Sequence, residues 1–188
     1  MKEVPDAQLI AQVLAGDNGS FGHLVERYQD QMLAYAVYMG FSEAEALDVV
    51  QESLVRAYRH LKRCGDRERF DGWLFKIVSN VCKTYLTRAA RRRTEPIETL
   101  GASIESTDPG PDEAAEAAWT RRQVRRALDT LPHDQREALV LMYLQGHSVS
   151  EICDVTGASA SAVKMRLKRG REALRNELEP LYDEVRKG

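Results

Sequence analysis

Along nearly the whole chain, apolar residues recur at intervals of three and four, the spacing that lays them along one side of an α-helix. The first run, Leu9, Ile10, Val13 and Leu14, follows Asp6, a residue able to cap a helix, and stops before Gly16. A second starts at Ser20 and carries Phe21, Leu24, Val25, Tyr28, Met32, Leu33, Ala36 and Val37 up to Gly40. A third opens at Ser42, with Glu45 placed to complete a capping box. Its stripe is Ala46, Val49, Val50, Ser53, Leu54, Ala57, Tyr58 and Leu61, and its other face shows Glu43, Asp48, Gln51, Glu52 and Arg59. A fourth runs from near Asp71 to about Arg93 on Trp73, Leu74, Ile77, Val78, Val81, Tyr85 and Leu86. A bend or break is expected in it near Ser79–Asn80, where two poor helix formers adjoin.

The pattern then lapses. Residues 94–118 contain Pro96, Pro109, Gly110 and Pro111, few large apolar side chains, and seven acids with no base: Glu95, Glu98, Glu105, Asp108, Asp112, Glu113 and Glu116. Such a segment cannot bury enough surface to offset the entropy of ordering it, so it reads as a flexible linker. Fully extended it reaches on the order of 80 Å. Helical spacing resumes over Glu113–Leu128, with Arg121, Arg122, Arg125 and Arg126 on the polar side. Pro132 opens the next helix, with Ala138, Leu139, Leu141, Met142 and Leu144 apolar, and Gly146 stops it. Ser148 and Glu151 form a second capping box, before a short helix with Val149, Ile152 and Val155 that Gly157 closes. Ser159 or Ser161 caps a long last helix bearing Ala162, Val163, Met165, Leu167, Ala173, Leu174 and Leu178. No strand pattern, internal repeat or sustained heptad is present. The expected fold is all-α: a helical domain over residues 1–93, an acidic flexible linker over 94–118, and a second helical domain over 119–188.

Charge sharpens this picture. The net charge of −2 conceals 14 bases against 12 acids in residues 1–93, and 13 against 10 in residues 119–188, around the acidic linker. Two basic segments separated by an acidic one are compatible with nucleic acid despite a pI near 6.1, because clustering on a face outweighs the total. No run approaches the ~20 apolar residues of a membrane span. The N-terminus, with Lys2, Glu3 and Asp6, has no signal-peptide core. Cys64, Cys82 and Cys153 are odd in number and far apart, without metal-ligand spacing to the four histidines. They read as reduced thiols of a cytoplasmic protein, and no metal or cofactor is expected. HExxH, P-loop and GxSxG motifs are lacking, so no enzyme is indicated.

Three constellations remain. Ser148–Arg175 has the helix-turn-helix plan: a short capped helix, a glycine turn, and a second capped helix with small residues first and bases after. Lys164, Arg166, Lys168 and Arg169 on that helix can reach phosphates or guanine edges in a major groove. Phe70–Arg93 interleaves Trp73, Phe75 and Tyr85 with Lys76, Lys83, Arg88 and the arginine run, the combination that unpaired bases and their backbone require. Trp73 at helical spacing is at the same time a core candidate. Asn80, polar inside an apolar run, can read a base edge. Asp48, Gln51 and Glu52 form either a solvated face or a docking face for a basic partner.

Those residues carry a family resemblance. LDVVQESLVRAYRHL followed by FDGWLFKIVSNVCKTYL and a basic run resembles region 2 of bacterial sigma factors. LPHDQREALVLMYLQGHSVSEICDVTGASASAVKMRLKRGREALR resembles region 4. The two blocks in this order, over residues 5–93 and 113–180, with only a short spacer, are similar to the extracytoplasmic-function (ECF) group. The resemblance implies that Asp48, Gln51 and Glu52 dock on the clamp helices of core RNA polymerase, while region 4 meets its flap. It implies that Phe70, Trp73, Lys76, Asn80, Lys83, Arg88 and Arg91 open the minus 10 element and capture a base of its single strand. It places Ser161, Lys164, Met165, Arg166, Lys168 and Arg169 in the minus 35 duplex. It further implies an anti-sigma partner and a stress- or signal-responsive regulon, and puts the acidic linker along the RNA path. Cys64 stands where many members carry an aromatic or larger residue, and Met165 and Lys168 are not the commonest choices on the recognition face. The competing expectation is a stand-alone helix-turn-helix regulator, which explains residues 119–178 but leaves Phe70–Arg93 and the docking helix without a role.

Overall fold

The computed structural model describes residues 4–94 and 112–187, with side chains at 4–91 and 119–179. Among them it is helical throughout: α1 Asp6–Leu14, α2 Ser20–Tyr38, α3 Glu43–His60, α4 Phe70–Thr94, α5 Asp112–Asp129, α6 His133–Tyr143, α7 Val149–Thr156 and α8 Ala160–Lys187. Two short 3-10 turns, Leu61–Arg63 and Arg67–Arg69, lead from α3 into α4. The expected linker lies for the most part outside the described residues.

Both capping boxes form as the sequence predicts. Ser42 and Ser148 each accept the amide of the residue three on, and Glu45 and Glu151 each accept the cap's own amide. Gly157 closes α7 in the left-handed region (φ 73°), where any other residue would be strained. Ser159, not Ser161, accepts the Ala162 amide at the start of α8. Two expectations fail. Pro5, not Asp6, occupies the cap of α1, and the Asp6 carboxylate instead accepts Arg27 and Tyr28, pinning α1 to α2. No bend occurs at Ser79–Asn80, because α4 is continuous from Phe70 to Thr94. Packing on both flanks outweighs the modest propensity cost of two residues.

The N-terminal half buries Tyr35, Met32, Leu24, Val49, Ala57, Leu74 and Val78 between α2, α3 and α4. Edge-on ring pairs Tyr28–Phe70 and Tyr35–Phe75 fix its middle, each with centroids within 5.6 Å. The C-terminal half closes on Leu139, Leu141, Ile152, Val155, Val163 and Leu167. Gly170 of α8 sits against Leu139, whose Cδ1 would lie 2.8 Å from an added Cβ, so α6 and α8 approach closely there. The exposure of Leu144 and Met165, 45% and 48%, departs from the apolar stripes drawn for α6 and α8.

The halves are in contact, with α4 lying along α7 and α2 touching α6. Cys82 is fully buried near that seam, and burial together with the nearby Glu137 carboxylate pushes its thiol up to about 12. Cys153 is half-buried on α7. Alkylation near pH 8 followed by peptide mass spectrometry is therefore expected to mark Cys153 well before Cys82, since only a thiolate reacts. Equal rates would contradict the packing of α4.

Candidate nucleic-acid interface

Three surfaces carry the candidate residues. The first is the stripe of α4 on which Trp73, Lys76, Asn80, Lys83 and Arg91 recur at helical spacing. Asn80 is exposed, not held inside the apolar run, and its side chain stands on the same side as Lys76. Trp73 is half-buried, its ring 5.7 Å from that of Phe70. Phe70 itself is 1% exposed and packs on Tyr28, so in this arrangement it supports the stripe from beneath instead of meeting a base. At the N-terminal end of the stripe a cavity of about 290 Å³ is lined by Cys64, Asp66, Arg69, Trp73 and Lys76, and by Asp154 of α7. Cys64 thus forms part of a wall beside Trp73, the place where a larger residue was noted as more usual. Arg88 and Arg91 continue the exposed basic end of α4.

The second surface is α8 behind its serine cap. Ser161, Lys164, Met165, Lys168 and Arg169 are exposed. Arg166 differs: its Nε lies 3.0 Å from the Asp134 carboxylate at the start of α6, and its side chain is 29% exposed. It ties the recognition helix to α6. Lys168 meets Glu172 only at 3.9 Å on the surface, a contact worth little. α7 crosses behind α8, and the left-handed Gly157 sets the turn between them.

The third is the outer face of α3. Asp48 and Gln51 are exposed, while Glu52 is half-buried and paired with Arg56. With Val55, Arg59 and Tyr85 they line an open groove. Leu47, Val55 and Tyr58, 43–51% exposed, give the same helix an apolar component. A partly apolar face flanked by charge is built for a protein partner and not for water alone.

Sequence reasoning missed the residues that join the halves. Glu137 of α6 is 2% exposed, and one of its oxygens takes the Tyr35 hydroxyl at 3.2 Å, the Ser79 hydroxyl, and the Lys83 ammonium at 3.1 Å. His147 packs edge-on against Phe75 and lies 3.7 Å from Asp71. Arg69 reaches Asp154 at 2.8 Å. Arg136 donates to the Met39 carbonyl at 3.1 Å, and its guanidinium leaves no room for a Cβ on Gly40. Burial pushes His133 down against the opposing pull of Glu137. An acid in the middle of an apolar helix, as Glu137 is, was the available signal.

Among the described residues no helix is long and apolar enough to cross a membrane, and no group of three His, Cys, Asp or Glu is placed to hold a metal.

A helix-turn-helix whose recognition helix is basic, preceded by an α4 stripe of aromatic, amide and cationic groups, defines a transcription protein with two DNA-reading parts. Comparison with known families agrees. Residues 24–92 match the model described as Sigma-70 region 2, and residues 121–174 match Sigma-70, region 4. The ECF RNA polymerase sigma-E factor of Haemophilus influenzae is 30% identical, over 96% of this chain and 98% of its own length. Its namesake in Escherichia coli K12 is 33% identical, over 96% and 97%. Among solved structures, CnrH in complex with the cytosolic domain of CnrY superposes with a TM-score of 0.70 at 30% identity, covering 94% of this chain and 99% of that one. The sigma factor RpoE of Bartonella quintana, bound to the anti-sigma factor NepR, shares the fold with a TM-score of 0.68 at 23% identity, over 85% and 96%. The chain belongs to the ECF sigma factors of bacterial RNA polymerase. The region 2 match covers the segment that a stand-alone regulator would leave unused.

Proposed function

We propose that the chain docks on core RNA polymerase through Asp48, Gln51 and Glu52 of α3, reads a minus 35 duplex with α8, and opens the minus 10 element along α4. The carrying observation is the α4 stripe: Trp73 beside a cavity, then Lys76, Asn80 and Lys83 in line, an arrangement suited to one flipped base followed by a strand of phosphates. On α8, the exposed Ser161, Lys164, Met165, Lys168 and Arg169 meet the groove, with the Asp134-bound Arg166 as their strut. No bond is broken or made by the protein. Binding free energy offsets the few kcal/mol of unpairing, so the chain is an initiation factor and not an enzyme by itself. Its site of action is the cytoplasm, where its polymerase is, and its regulator is an anti-sigma protein of the kind seated on CnrH and on the Bartonella RpoE.

Charge reversal tests the docking face. Asp48→Lys with Glu52→Lys is expected to abolish co-elution with core polymerase while leaving the helical signal of the free protein intact. Unimpaired co-elution would reassign α3 to a solvated surface. On α8 the two arginines separate. Arg169→Ala is expected to weaken minus 35 binding by ~1–3 kcal/mol if it pairs with a guanine edge. Arg166→Ala should instead lower the melting temperature of the C-terminal half, with a smaller loss of affinity. Competition titrations against altered minus 35 sequences read the difference, and a loss from Arg169→Ala that is equal on all sequences would make it a phosphate contact.

A further inference from the structure

The α4 stripe proposed to take promoter DNA is not free in this chain, because its own C-terminal half lies against it. Lys83 is held by Glu137. The cavity beside Trp73 has Asp154 of α7 in its wall, and Arg69 at its rim is paired with that same aspartate. Two acids of one half therefore occupy basic groups of the other, where a phosphate backbone would sit.

Glu137 is the centre of this seam. Each of its hydrogen-bond and ion-pair partners, Tyr35, Ser79 and Lys83, belongs to α2 or α4, across the interface. On the C-terminal half alone it would be a surface residue. Tyr35 and Ser79 are both 0% exposed, so the donors that converge on the carboxylate are built into the N-terminal core and cannot turn to water while the halves stay together. A carboxylate with three converging donors is a stable arrangement, and removing its charge leaves a buried ammonium partner and two hydroxyls poorly satisfied. Arg136 on Met39, Arg125 on the Phe41 carbonyl at 2.8 Å, and His147 on Phe75 extend the same contact.

We propose that α6 and α7 act as an internal competitor of promoter DNA, with the Glu137 carboxylate standing where α4 would otherwise meet the strand, so that the free chain is closed and must open before it reads a promoter. The inference rests on the promoter reading above. Geometry demands the opening. Elements at minus 35 and minus 10 are centred ~25 base pairs apart, ~85 Å of straight duplex at ~3.4 Å per step. In the closed chain the α4 stripe touches the helix-turn-helix itself. The covalent reach of the segment between α4 and α5, on the order of 3.3–3.6 Å per residue, is sufficient to span most of that separation once the seam parts. Affinity of the closed chain for DNA is reduced by the fraction that is open, so loosening the seam raises it.

The test uses the full chain with Glu137→Lys, which sets a like charge against Lys83, and Glu137→Gln, which keeps the shape and removes the charge. Small-angle scattering of the free protein is expected to show a compact particle for the wild type, a larger radius of gyration for Glu137→Lys, and an intermediate value for Glu137→Gln. Binding of a fluorescein-labelled single strand carrying the minus 10 element of a promoter the protein transcribes should tighten by ~10-fold or more in Glu137→Lys. Pairing Glu137→Lys with Lys83→Glu should restore the compact particle. An unchanged radius in Glu137→Lys overturns the latch, and an enlarged radius with unchanged DNA affinity overturns the competition. If wild-type protein fails to direct core polymerase at all, the promoter reading fails, while the scattering result still decides whether Glu137 holds the halves together.

Discussion

Phe70→Ala is expected to cost about 3–5 kcal/mol and to unfold the N-terminal half at growth temperature. The ring is 1% exposed, stands edge-on to Tyr28, and lies under Trp73 at the first residue of α4. Its removal opens a cavity where α1, α2 and α4 meet, and the neighbouring Asp6–Tyr28 contact has no slack with which to close it. Urea unfolding followed by circular dichroism measures the loss. Phe70→Leu should retain most of the stability, and with it transcription. A variant that stays fully stable yet loses minus 10 recognition would place Phe70 in contact with DNA, as the sequence resemblance implies, and would require α4 to rearrange in the polymerase complex.

The second large effect belongs to Trp73. Truncation to alanine is expected to reduce open-complex formation by roughly 10- to 100-fold, the scale of ~1–3 kcal/mol for a base stacked on or against an aromatic ring. Core binding should be unchanged, because the α3 groove is a separate surface. Permanganate reactivity of unpaired thymines at the minus 10 element reads opening directly, and native electrophoresis with core reads docking. Trp73→Phe should recover much of the activity. The ring is half-buried, so part of any loss could arise from stability; equal helical signal and melting temperature in Trp73→Phe and the wild type separate the two. Full opening by Trp73→Ala would remove the cavity beside it from the account.

Much of the architecture could be read from spacing alone. Ser42–Glu45 and Ser148–Glu151 announce their helices by a local exchange of hydrogen bonds, and Gly157 announces a turn by its φ. These signals lie within a few residues, which is why they survive without tertiary knowledge. The face of α8 was legible for the same reason: one helix, one cap, one side of bases. What escaped depends on contacts between distant segments. Asp6 has capping chemistry, but Arg27 and Tyr28 compete for its oxygens. Ser79 and Asn80 are poor helix formers, but Ser79 is enclosed by Tyr35 and Glu137, while Asn80 faces outward at no cost to the helix. Phe70 sits among bases and aromatics in sequence, whereas one turn of helix separates a core position from an exposed one. The seam itself, with Glu137, His147, Arg69 and Asp154, pairs residues 58 to 102 positions apart. Periodicity within one element cannot report on that. Arg166 illustrates the finer limit, since a base on a recognition helix is drawn to Asp134 by a neighbour that the spacing of α8 does not reveal.

The most direct test of the central claim is run-off transcription with purified protein and core RNA polymerase on a pooled library of upstream regions from the same genome. The account predicts discrete new start sites that require both components, share motifs at minus 35 and minus 10, and fall away with Trp73→Ala or with Asp48→Lys and Glu52→Lys. Specific duplex binding by the protein alone, with no new start sites when core is added, would contradict it and would leave α8 as the reading head of a stand-alone regulator.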